Sequence, residues 1–130
     1  MERSRFLASV IGPALAALGV AFFLNTSELP MIIGILGRNY LTIMMSGFVG
    51  LIAGLLIVNC HNVWRGWPAM VTLIGWVLIV TGMVRLIFPG LVSDVAPRVA
   101  EHPWIPLIAA TVLALAGLFL SYQGIVKRTP

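Results

Sequence analysis

The sequence predicts an all-α membrane protein that crosses the bilayer four times. Composition is the first observation: 60% of the 130 residues are hydrophobic and 9% are charged. A soluble domain spends about a quarter of its residues on charge to cover its surface. The second is the presence of four apolar segments, at 6–24, 41–58, 69–88 and 105–122. Each is close to the length a helix needs to cross about 30 Å of hydrocarbon. The third is their pattern. None contains an acidic residue, and each is continuously apolar rather than alternating. This excludes a membrane barrel and leaves helices, which satisfy their backbone groups within one segment. A chain this short is expected to form a single four-helix domain.

The first span follows Arg3 and Arg5, as the apolar core of a signal peptide would. However, it runs on to Leu24, and its one A-x-A-like element, Ala14-Leu15-Ala16, lies in its middle. We therefore expect a retained helix, bent at Pro13, where a backbone donor is missing. The connection 25–40 contains an apolar patch, 31–36, too short to span. It either lies on the surface or extends the second span backwards. The connection 59–67 is short, so the second and third spans should be neighbours. Pro68 suits the first turn of the third span, where a missing N–H costs nothing, and Pro89-Gly90 ends that span. The connection 90–103 carries Asp94, Arg98 and Glu101, and Pro97 is expected to start one turn of interfacial helix. Pro103 and Pro106 open the fourth span. Tyr40, Trp64, Trp67, Trp104 and Tyr122 fall near span ends, where amphipathic rings favour the headgroup region. Trp76 lies inside a span.

The net charge of +4 does not indicate nucleic acid, because the basic residues sit at the ends of apolar segments. One side of the membrane receives Arg3, Arg5, Arg65, Lys127 and Arg128; the other receives Arg38 and Arg98 in its connections. The positive-inside rule then places both termini in the cytoplasm.

A shift of 63 residues brings Gly12 onto Gly75, Gly19 onto Gly82 and Gly54 onto Gly117, with Ala53-Gly54-Leu55 falling on Ala116-Gly117-Leu118. Such a shift overlays a hairpin of spans one and two on a hairpin of spans three and four. Two readings remain open: a tandem duplication with both hairpins facing the same way, or chance alignment of glycine-rich segments.

Few residues could carry chemistry. Ser46, Gly50 and Gly54 repeat every four residues on the second span, Ala110 with Ala114 and Gly117 with Ser121 on the fourth, and Gly75 and Gly82 lie on the third. Such stripes either pack within the chain or form a docking face. Asn59, His61, Trp64 and Arg65 cluster at the cytoplasmic end of the second span. Were the helix to continue, His61, Trp64 and Arg65 would share a face and could sense pH or hold a headgroup phosphate; the alternative is an interfacial cap. Arg85 is the one charge within a span. It either snorkels to the outer headgroups or pairs with Glu28 or Asp94, and its loss is expected to weaken folding or assembly more than loss of Arg38. Cys60 alone forms no intrachain disulfide. His61 and His102 fall on opposite sides of the membrane, so one chain cannot ligate a haem through both. We expect no metal, no cofactor and no catalytic constellation.

The run Gly54-Leu55-Leu56-Ile57-Val58, His61-Asn62-Val63-Trp64, Gly66-Trp67-Pro68 and Gly75-Trp76 resembles a group of small four-span bacterial membrane proteins of unknown function. The resemblance covers about half the chain. It implies four spans and a bacterial inner-membrane location, and brings no activity. The expectation is a non-catalytic accessory, assembly or structural subunit, in contact with lipid and with other membrane proteins or its own copies. A small transporter or channel is the alternative, using Thr72, Thr81, Arg85, Thr111 and Ser46.

Overall fold

The computed structural model describes residues 2–128; Met1, Thr129 and Pro130, and so both chain ends of the topology reading, lie outside the described residues. The described chain is helical: α1 (Glu2–Leu24), α2 (Leu29–Arg38), α3 (Tyr40–Cys60), α4 (Ala69–Ile87), α5 (Pro89–Glu101) and α6 (Trp104–Ile125), then a 3-10 turn (Val126–Arg128). α1, α3, α4 and α6 are long and apolar enough to cross a membrane. They cover the four segments expected, with bounds shifted by a few residues.

Two connections hold more helix than expected, and local chemistry explains both. The patch 31–36 belongs to a separate helix, α2, and does not extend α3. Asn39 interrupts the two: its backbone is extended (φ −100°, ψ 101°) and its side chain accepts the Thr42 N–H as the N-cap of α3 at 3.2 Å. In the other connection helix begins at Pro89, eight residues before the expected Pro97, which lies inside α5. Pro89 takes the first helical position, where its missing N–H is not needed. Pro13 lies inside α1. α2 and α5 meet where a Cβ on Gly37 would strike the Ala96 methyl.

The tight packing is crosswise in the sequence. α1 packs along α6, and α3 along α4. The neighbouring second and third spans are thus as expected. The overlaid hairpins, spans one with two and three with four, are not the closely packed pairs: each close pair takes one helix from each half of the chain. The contacts separate into two compact units, residues 1–30 with 99–130, and residues 31–98.

Within each unit, glycine lets two backbones touch. A Cβ on Gly117 would collide with the Ala16 backbone N and lie 2.8 Å from Gly12 O; one on Gly54 would lie 2.8 Å from Ile79 N and 2.7 Å from Gly75 O. Gly19 faces Ala114 N and Ala110 O, and Gly82 faces Leu51 N and Gly47 O. Lipid gives helices no hydrophobic reason to associate, so such close approach is what holds them. Every one of these contacts converts into its counterpart by moving 63 residues, forward on α1 and backward on α6. Burial follows the same offset: Ile43, Gly47, Gly54 and Ile57 on α3 answer to Pro106, Ala110, Gly117 and Leu120 on α6. Helix ends do too, since Leu24 and Arg38 stand 63 residues before Ile87 and Glu101. The repeated segment is therefore span, short helix, span.

Candidate functional site

Most of the candidate polar residues lie in the unit of residues 31–98, at the two ends of the α3·α4 pair. At the end reached by the 59–68 connection, α3 stops at His61, whose backbone turns extended (φ −153°, ψ 104°) while its N–H still reaches Ile57 O. The helix does not continue, so the face that His61, Trp64 and Arg65 would share on a continued helix is not formed. Instead the ring is buried, 4% exposed, with Nε2 3.3 Å from Pro68 O. That contact is a hydrogen bond when Nε2 carries the proton. Thr72, fully buried, completes the clasp. Its hydroxyl accepts the Val63 N–H at 3.1 Å and donates toward Val63 O at 3.0 Å, with His61 O at 3.5 Å. Gly66, at φ +68°, supplies the left-handed residue that turns the chain toward Pro68. Trp64 is exposed and its indole donates to Asn62 Oδ1 at 2.6 Å. Asn59 donates to Leu55 O at 2.8 Å, and Arg65 is exposed. This arrangement fits the cap alternative: His61 and Thr72 satisfy loop carbonyls that would otherwise lack partners at the helix ends.

At the opposite end lies Arg85, in the last turn of α4 and exposed. Its Cβ covers Gly47, and Nη1 donates to Ser46 Oγ at 3.4 Å. Ser46 in turn donates to Ile43 O at 2.8 Å. Asp94 belongs to the same unit but forms no ion pair with Arg85 among the described residues. Glu28 falls in the other unit.

The small-residue stripes are used within the chain. Gly54, Gly75 and Gly82 face the partner helix in one unit, and Ala110, Ala114 and Gly117 in the other. Gly50 is the exception: a Cβ there would meet only Leu78 O, at 3.9 Å. Ser46 serves the Arg85 contact.

Two features escaped the sequence. Asn39 gave a legible signal as an N-cap type ahead of an apolar run. Gln123, 8% exposed, is buried in the last turn of α6 with Oε1 unsatisfied among the described residues; glutamine near a span end gives no such warning. Among the described residues no cluster of three or more His, Cys, Asp or Glu could hold a metal. No protein family, curated protein or solved structure matches the chain.

Proposed function

We propose that the protein is a non-catalytic multi-pass membrane protein acting as an accessory, assembly or structural subunit of a larger membrane complex. What supports this reading is the use made of the hydroxyls and the cation within the spans. Thr72 clasps the 59–68 loop. Thr81 donates to Val77 O at 2.7 Å and Thr111 to Leu107 O at 2.9 Å, each back-bonded to its own helix. Ser46 lies between Ile43 O and Arg85. The five residues named as candidates for a polar path are thus engaged locally, and a helix whose hydroxyls are turned onto its own carbonyls presents an apolar side to its neighbours. Docking on other proteins then falls to the outward sides of the pairs, where Phe48, Val49 and Leu56 on α3 and Val112, Leu115 and Leu118 on α6 are exposed, because the glycine stripes are already occupied.

The bacterial inner membrane is the proposed location, with both termini cytoplasmic on the asymmetry between Arg3, Arg5, Arg65, Lys127 and Arg128 and the opposing Arg38 and Arg98. A reporter active only outside the cytoplasm, fused after Pro130, should be silent; activity overturns the orientation. The role itself is tested by purification in a mild detergent. Partner proteins at fixed stoichiometry are expected. A lone oligomer that passes an ion in liposomes rejects this reading in favour of a small transporter or channel.

A further inference from the structure

We propose that Arg85 and Ser46 form a phosphate-binding site for an anionic lipid headgroup at the end of the α3·α4 unit. The argument begins with cost. A charge near the bilayer centre costs about 2.5–3.5 kcal/mol on insertion scales, and less toward an interface. Arg85 sits two residues from the end of α4, roughly 3 Å along the axis at 1.5 Å per residue, so its guanidinium reaches the headgroup level with little strain. It is exposed, and Nη1 donates to Ser46 Oγ. A guanidinium carries five N–H donors in a planar fork, so most remain to be satisfied, and the fork matches a phosphate through two parallel hydrogen bonds.

The rest of the chain supplies an internal control. The 63-residue offset places Phe22 where Arg85 stands and Ala109 where Ser46 stands, in a unit whose helices cross by the same glycine contacts. That crossing therefore does not require a cation or a hydroxyl at these two positions. The charge and its hydroxyl partner occur together, in one unit only, on adjacent helices. Ser46 donates to Ile43 O and so presents a lone pair to Arg85, which orients the fork without neutralising it. Asp94, a carboxylate of the same unit, forms no ion pair with Arg85 among the described residues, so the positive charge stays available to an incoming anion.

The test uses the full chain in phosphatidylcholine nanodiscs containing a minority of phosphatidylglycerol. Lipid retained after transfer to detergent is counted by native mass spectrometry. The wild-type chain is expected to retain phosphatidylglycerol preferentially. Arg85→Gln should lower that preference about tenfold, the ratio given by loss of one charge-assisted contact, and Arg38→Gln should leave it unchanged. Arg85→Lys, which keeps the charge without the fork, should fall between and covers the case in which Arg85→Gln does not fold. Displacement of the lipid by millimolar inorganic phosphate would support the same phosphate chemistry with a free anion as the occupant; resistance to it supports the lipid. Unchanged phosphatidylglycerol preference in both Arg85 variants overturns the proposal.

Discussion

The two helix pairs share one crossing and differ in what they attach to it. In α1·α6 the positions around the glycine contacts are filled by Ala16, Ala110, Ala114, Phe22 and Ala109, with Ser121 at Gly12, bonded to its own helix through Gly117 O and answering to Val58 in the other pair. In α3·α4 the matching positions carry Ile79, Gly47, Leu51, Arg85 and Ser46. The loop end shows the same divergence. Gly124 faces Ser9 backbone in the first unit, whereas His61 and Thr72 occupy the matching places in the second and form a buried clasp. The comparison separates two kinds of requirement. Residues alike in both units serve the crossing; residues polar in one unit alone serve something the crossing does not need.

The largest effects should come from what the units share. Gly54→Val and Gly117→Val each drive a side chain into backbone, and each is expected to cost about 3 kcal/mol, at the upper end of overpacking penalties. Thermal unfolding in detergent should show similar losses for the two; a loss confined to one would break the equivalence. Gly34→Ala, which enters open space, and Gly50→Ala, which meets only Leu78 O in ordinary contact at 3.9 Å, should be neutral or stabilising by up to about 1 kcal/mol through helix propensity.

A smaller effect sharpens the difference. Thr72→Val keeps the shape but leaves the Val63 N–H unpaired, at a cost of about 1–3 kcal/mol for a buried group. Its counterpart Ser9 donates to Phe6 O of its own helix at 2.7 Å, so Ser9→Ala should change stability by less than about 0.5 kcal/mol. Equal losses at the two sites, measured by the same melting curves, would mean that the loop clasp contributes nothing particular. A modest stability change is expected at Arg85. Arg85→Ala removes a stem lying over Gly47 and one exposed hydrogen bond, about 1 kcal/mol, still more than Arg38→Ala, which should be silent.

The spans were legible because their length and continuous apolar character leave one solution in lipid. The glycine offset was legible as well, yet which helices it joined was not. Gly12 and Gly54 look alike in sequence whether they face each other or face Gly117 and Gly75, since small-residue spacing marks a face without naming its partner. The helix starting at Pro89 was missed because Pro97 drew the boundary. The end of α3 falls within two residues of the expected bound, but whether another turn followed was open in sequence, since nothing in Asn59-Cys60-His61 forbids one; the clasp at the stop uses Thr72 and Pro68, which are distant in sequence. For Arg85 the sequence marked the residue and its place near the end of the helix, while its partner Ser46, 39 residues away, emerged only with the α3·α4 packing.

The central claim is that one crossing is used twice, and an intrachain cross-linking scan tests it most directly. In a Cys60→Ser background, a cysteine at position 16 is combined in turn with a cysteine at each of positions 113–121, and one at position 79 with each of positions 50–58. Ala16 approaches Gly117 and Ile79 approaches Gly54, so disulfide yield should peak around 117 in the first series and around 54 in the second. The two profiles should superpose when one is shifted by 63 residues. Profiles that peak at unrelated positions, or bonds that form only between chains, would contradict the account.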